Sequence, residues 1–209
     1  ERLHPGTYAL GYKVEATIEG TLRNARELRT TTVDTNPDAY KATGFAVVGT
    51  EVWGFVERDV YSWNYTTTSW NLGTEPVAAA NIYRNGIPFG ANTYVPSWVA
   101  ATDLPARYLY KADADANWTR VGAGTGTQVN SAKYFAKGRN AAGDELLWAG
   151  YVGRADGTTG VNIIARTTDP TSNVWTEATI GQSDSEITAL VEDGDTVLVC
   201  KTNGIWAYY

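Results

Sequence analysis

The sequence predicts an all-β chain folded as a β-propeller of four-stranded antiparallel blades, with about three full blades and a partial fourth. Three observations predict it. A tryptophan followed shortly by a glycine recurs as Trp70…Gly73, Trp118…Gly122 and Trp175…Gly181, and the tryptophans lie 48 and 57 residues apart. That is the length of a four-stranded sheet unit, and repetition at this period marks a propeller. Segments ahead of each cassette change face at every residue, as in Asp59-Val60-Tyr61-Ser62-Trp63-Asn64-Tyr65 and Arg107-Tyr108-Leu109-Tyr110-Lys111, the alternation of a strand. No stretch sustains a 3.6-residue period, and only Leu22–Leu28 has the makings of a short helix.

Each repeat starts with a small-residue-rich strand, suited to a crowded axis: Thr43–Val48, Val77–Tyr83, Ala132–Ala136 and Glu186–Val191. Turns follow at Gly49-Thr50-Glu51, Gly143-Asp144-Glu145 and Gly194-Asp195-Thr196, where glycine and aspartate supply turn conformations. Second strands are expected at Val52–Glu57, Leu146–Val152 and Val197–Lys201. Third strands are expected at Val60–Tyr65, Arg107–Lys111, Val161–Arg166 and Ile205–Tyr209. The tryptophan cassettes supply the outermost strand, so Trp70, Trp118, Trp175, Gly73, Gly122 and Gly181 are the structural anchors of the repeat.

The blades are therefore expected at about 43–73, 77–122, 131–181 and 186–209, within a propeller region of 41–209. The last stops after its third strand. Either an N-terminal strand, Thr7–Ile18 or Glu27–Val33, completes it and closes a small ring, or the chain is a fragment of a larger propeller. The absence of methionine and the stop short of a cassette favour the fragment. Residues 1–40 depart from the repeat and read as a lead-in or closing strand, with Thr35-Asn36-Pro37-Asp38 as the turn into the first blade.

Composition narrows the partners. The net charge is −6 and no Lys/Arg stripe is present, which argues against nucleic acid. Apolar runs are too short to cross a bilayer, so no membrane insertion is expected. The lone Cys200, in Val197-Leu198-Val199-Cys200, reads as a buried strand residue and cannot form an intrachain disulfide. Eight Trp and thirteen Tyr stand against four Phe; such side chains suit packed sheets and also sugar- or protein-contacting surfaces.

No catalytic residues, metal ligands or cofactor are predicted. The single histidine, His4, lies beside Pro5, whereas a nucleophile–His device needs a ring held in a pocket. Glu192-Asp193-Gly194-Asp195 lacks the ligand spacing and distal Glu of a calcium loop and reads as a solvated hairpin. Asp113-Ala114-Asp115 and Asp156-Gly157 read as turns, and Asp113 and Asp169, each a few residues before a cassette Trp, are expected to accept backbone N–H groups and fix them. Gly122-Ala123-Gly124-Thr125-Gly126-Thr127 is followed by a strand rather than a helix, so it reads as a flexible inter-blade connection and not a phosphate cradle. Ala112–Trp118 and Thr168–Trp175 loosely echo the Asp-box of sialidase propellers, without its glycine.

The stretch Ile180-Gly181-Gln182-Ser183-Asp184-Ser185-Glu186-Ile187-Thr188-Ala189-Leu190, running into Lys201-Thr202-Asn203-Gly204-Ile205-Trp206-Ala207-Tyr208, resembles repeats in the large β-propeller proteins of tailed bacteriophages and their metagenomic relatives. Tyr94-Val95 and Asp169…Trp175 fit the same repeat, and the resemblance covers about 43–209. It implies a virion component, in the tail or decorating the capsid, whose partners are other virion proteins or a host-surface glycan or protein. It carries no catalytic residues. Fungal fucose-binding propeller lectins are a weaker match, because their Arg/Glu/Trp sugar set does not recur blade by blade. The expectation is thus a non-enzymatic virion propeller, with a carbohydrate-binding lectin as the alternative and a sialidase-like glycosidase behind it. Trp63, Tyr94 and Trp98 are the candidate binding residues, expected as exposed anchors on one rim.

Overall fold

The computed structural model describes residues 14–16, 22–24, 42–56, 59–67, 69–73, 82–98, 107–154, 156, 158–181 and 184–208. The chain divides into two compact units, Glu1–Thr32 and Val33–Tyr209. In the first, β1 (Val14–Ala16) pairs antiparallel with β2 (Leu22–Asn24). The stretch from Leu22, the one with the makings of a short helix, starts as a strand in keeping with the all-β class, with Leu22, Arg23 and Asn24 paired to Ala16, Glu15 and Val14. Of Thr7–Ile18 only β1 is described, while Glu27–Val33, His4 and the 35–38 turn lie outside the described residues.

The second unit is the propeller: four small antiparallel sheets arranged as blades around one axis. Blade 1 is β3 (Ala42–Val48), β4 (Glu51–Val56), β5 (Asp59–Asn64) and β6 (Ser69–Leu72), in that spatial order. Blade 2 carries β7 (Ile82–Tyr83), β8 (Ile87–Phe89), β9 (Asn92–Val95), β10 (Ser97–Trp98), β11 (Leu109–Ala112) and β12 (Thr119–Arg120). Blade 3 is β13 (Ser131–Arg139), β14 (Glu145–Gly153), β15 (Thr159–Thr167) and β16 (Thr176–Thr179). Blade 4 is β17 (Ile187–Asp193), β18 (Thr196–Lys201) and β19 (Gly204–Tyr208), and among the described residues no fourth strand pairs with β19.

Blade 2 departs from the expected layout. Its two inner strands are broken into β7/β8 and β9/β10, and the ladder slips between the Tyr83↔Ser97 and Ile87↔Tyr94 pairs. Pro96 lacks an N–H, so it cannot continue a ladder. Its carbonyl instead accepts the Arg84 N–H at 3.1 Å. Asn85 and Gly86 swing toward blade 1, where Asn85 Oδ1 accepts the Phe45 N–H at 3.0 Å and the Gly86 N–H reaches the Phe45 carbonyl at 2.8 Å. The second strand of this blade, which carries Tyr94, has no clear alternation in the sequence and goes unpredicted.

Three clusters form the core, one in each gap between successive blades. Ala46, Val48, Trp53, Phe55 and Val60 of blade 1 meet Tyr83, Val95, Leu109 and Trp118 of blade 2. Tyr94 and Tyr108 of blade 2 meet Leu147, Ala149, Ala165 and Trp175 of blade 3. Trp148, Ala136 and Ile164 of blade 3 meet Ile187, Leu190, Val197 and Val199 of blade 4. Strand alternation sends one face of each blade to each neighbour, and burying these faces is the main source of stability. In β18 the same alternation turns Val197 and Val199 inward and leaves Cys200 half-buried, not buried as expected.

Candidate functional site

The anchor tryptophans reveal a rule of packing. Trp118 is 4% exposed and meets Trp53 and Phe55 of the preceding blade edge-on, with centroids 5.8 and 5.5 Å apart. Trp175, also 4% exposed, packs on Tyr108 of the preceding blade at 5.8 Å and on Phe135 of its own at 6.2 Å. Each cassette Trp therefore fills the gap toward the blade before it. Trp70 holds the same place in blade 1, and the described residues contain no earlier blade. It lies half-buried on the face opposite the blade 1–blade 2 core.

That face carries an aromatic ridge. Cross-strand pairing sets Trp70 against Trp63, with rings 5.3 Å apart, and partners in a ladder share a face. Trp63 continues to Tyr65 at 6.4 Å, and Trp70 to Phe45 at 6.3 Å. Gly54 lies beneath: a Cβ there would stand 3.2 Å from the Trp70 ring, so its lack of a side chain lets that ring cross the blade. Phe45 is 51%, Tyr65 62%, Leu72 54% and Val47 58% exposed. Single exposed apolar residues are ordinary, but a contiguous group of large ones is the mark of a contact surface.

Phe45 and Val47 also rim a groove of about 550 Å³ between blades 1 and 2, closed on the other side by Pro88, Asn92, Thr93 and Asp113. Gly49 has φ +55°, and a Cβ on it would overlap the Asp113 carboxylate, so glycine is required there twice over. Asp113 thus leans on blade 1 and does not fix its own turn. Asp115 does that instead, its Oδ2 accepting the Ala112 N–H at 3.0 Å. Asp169 behaves as expected, accepting the Thr171 N–H at 3.1 Å.

Of the predicted binding residues, Trp63 lies on the ridge. Trp98 is half-buried and packs edge-on to Tyr151 at 6.0 Å. Lys133 Nζ sits over both rings, 4.4 and 3.7 Å from their centroids, and 3.7 Å from the Glu186 carboxylate. Such cation–ring contacts gain strength as water is excluded. Tyr151 has φ +58° at a register shift of β14, an uncommon conformation for a bulky residue. Its phenol is pushed up by burial, then by the Glu186 carboxylate and Tyr134. Tyr94 is 2% exposed and belongs to the blade 2–blade 3 core, so the rim position expected for it does not hold. The structure brings none of the three together.

The sequence reading missed Asn173. It is fully buried with φ +52°. Its Oδ1 accepts from Trp175 Nε1 at 3.0 Å and from the Val129 N–H at 3.2 Å, and its Nδ2 donates to the Gly122 carbonyl at 3.2 Å. The Gly122–Thr127 segment is pinned, not flexible: Gln128 Nε2 donates to the Gly124 carbonyl at 2.5 Å and the Trp175 N–H to the Thr127 carbonyl at 3.0 Å. A Cβ on Gly124 would overlap the Asn173 carbonyl. The Glu192–Asp195 hairpin is likewise docked, with Glu192 Oε1 accepting the Lys137 N–H at 3.0 Å and Asp195 pairing with Arg139 at 3.0 Å. Gly181 has φ +68° under the Trp206 ring, and the Gly73 N–H donates to the Val60 carbonyl at 2.7 Å.

Among the described residues no group of three or more His, Cys, Asp or Glu is placed to hold a metal, and no helix is long and apolar enough to cross a membrane.

No protein-family model matches the sequence, and no curated protein does. Solved structures match at the level of fold. The computationally designed Ika4 protein is 11% identical over 85% of this chain and 96% of its own, with a TM-score of 0.54. The designed Ika8 protein is 12% identical over 85% of this chain and 48% of its own, again at 0.54. PorZ, a bacterial surface component of the type-IX secretion system of Porphyromonas gingivalis, is 12% identical over 90% of this chain and 28% of its own, also at 0.54. The chain thus spans nearly all of Ika4, about half of Ika8 and under a third of PorZ, and identities this low carry the fold alone.

Proposed function

We propose that this chain is a non-enzymatic propeller module of a virion, in the tail or associated with the capsid, that works by docking to other virion proteins or to the host surface through the outer face of blade 1. The aromatic ridge Phe45–Trp70–Trp63–Tyr65 is the observation that carries this reading. It repeats, in an exposed setting, the aromatic packing that joins the blades, so it suits another sheet face better than a small molecule. The virion setting rests on the repeat resemblance about Ile180–Leu190 and Lys201–Tyr208.

The test is incorporation of Phe45→Ser and Trp63→Ser variants into particles, with thermal melting to confirm folding. Loss of incorporation or of host adsorption by a folded variant supports the proposal; unchanged incorporation and adsorption sink it. The lectin reading is favoured by one feature, the Asn92, Thr93 and Asp113 groups lining a groove that Phe45 rims. Binding on a glycan array that Asn92→Ala abolishes, with particle assembly intact, would select it.

A further inference from the structure

The break in blade 2 opens a second cavity, of about 280 Å³, on the axis of the propeller. All four blades line it: Thr43 from blade 1, Arg84, Asn85 and Pro96 from blade 2, Lys133, Tyr134 and Phe135 from blade 3, and Leu190 from blade 4. A continuous inner strand would direct residues 84 and 85 into the ladder. The slip at Pro96 turns them out to form the wall instead.

Among the described residues that line it are two cations, Arg84 and Lys133, and no carboxylate. Lys133 is engaged with Glu186 and the Trp98 and Tyr151 rings. Arg84 has no such partner: among the described residues it makes no ion pair, and its Nε is buried without an acceptor. A buried guanidinium N–H without an acceptor is costly, and removing that cost favours an anion. Phe135, Leu190 and Pro96 also line it and suit a hydrocarbon body, not the hydration shell of a phosphate. The size is that of a small molecule.

We infer that the axial cavity binds a small organic carboxylate, its oxygens on the Arg84 guanidinium and its apolar body against Phe135 and Leu190. Lys133 adds positive field without giving up Glu186. Arginine fits here where lysine would not, because its planar fork presents two parallel N–H groups to a carboxylate.

The test is titration of the protein with acetate, benzoate and D-glucuronate, followed by backbone amide NMR, with benzyl alcohol, D-glucose and inorganic phosphate as comparators. At least one carboxylate should shift the Arg84, Asn85, Lys133 and Tyr134 amides while its neutral counterpart does not. Arg84→Gln should weaken that binding about tenfold or more, equivalent to ~1.4 kcal/mol, with the cooperative melt retained. If Arg84→Gln fails to fold, Arg84→Lys replaces it and should weaken binding several-fold. The inference is overturned if no carboxylate shifts these amides, if the folded Arg84 variant binds as well as the wild type, or if phosphate binds more tightly than every carboxylate.

Discussion

Trp70 in blade 1 and Trp175 in blade 3 occupy the same place in their repeats and meet opposite fates. Trp175 is closed in by Tyr108 and Phe135, its indole N–H held by Asn173. Trp70 has aromatic neighbours too, but Phe45 beside it is half exposed to solvent. The ring points to the same side of its blade in each repeat, and what is packed there differs: Tyr108 of the preceding blade for Trp175, the half-exposed Phe45 for Trp70. A residue that is closed into the core in one repeat thus keeps solvent access in another.

The largest expected effect is at the buried site. Trp175→Ala should cost about 3–5 kcal/mol in urea unfolding, the range for removing a large aromatic from a packed core. Asn173→Ala should follow, at roughly 2–3 kcal/mol, because several groups it satisfies would be left buried without partners. Trp70→Ala should cost less, about 1.5 kcal/mol, since its side chain keeps solvent access that Trp175 lacks. Equal losses for Trp70→Ala and Trp175→Ala would break the comparison and mean that the blade 1 face is covered in solution.

Alkaline pH sharpens the contrast from the side of the buried gap. Burial pushes the Tyr108 phenol up strongly, and the Tyr94 phenol up as well. In the unfolded chain tyrosines ionise near pH 10. The folded state holds these phenols neutral, so their contribution is intact below about pH 10 and is lost as pH rises beyond it. Urea midpoints measured from pH 8 to 11 should fall above pH 10, and less steeply in Tyr108→Phe. An unchanged slope in that variant would remove Tyr108 as the source.

How much of this was legible depends on the range of the interaction. Alternation in Asp59–Asn64 and turn residues such as Gly194 act locally, and the strands and hairpins they predict are present. The broken strands of blade 2 were not legible, because Pro96 marks a break without saying where the chain goes afterwards. Asn173 was invisible for a related reason. Its partners Val129 and Gly122 are 44 and 51 residues away, and no local pattern marks an asparagine that serves them. The sequence offers Trp63 and Tyr94 alike as surface aromatics, yet Trp63 lies on the ridge and Tyr94 in the core. Both are aromatics on strands, and burial of either depends on the neighbouring blade.

The sequence by itself determined the all-β class and the blade repeat, because periodicity and turn chemistry are written in adjacent residues. Only the tertiary structure decided which aromatic faces are closed, how the glycine-rich segment is pinned, and that the break at Pro96 leaves Arg84 lining the axis. Those outcomes depend on side chains dozens of residues apart sharing one gap between sheets, and on which blade faces find a neighbour.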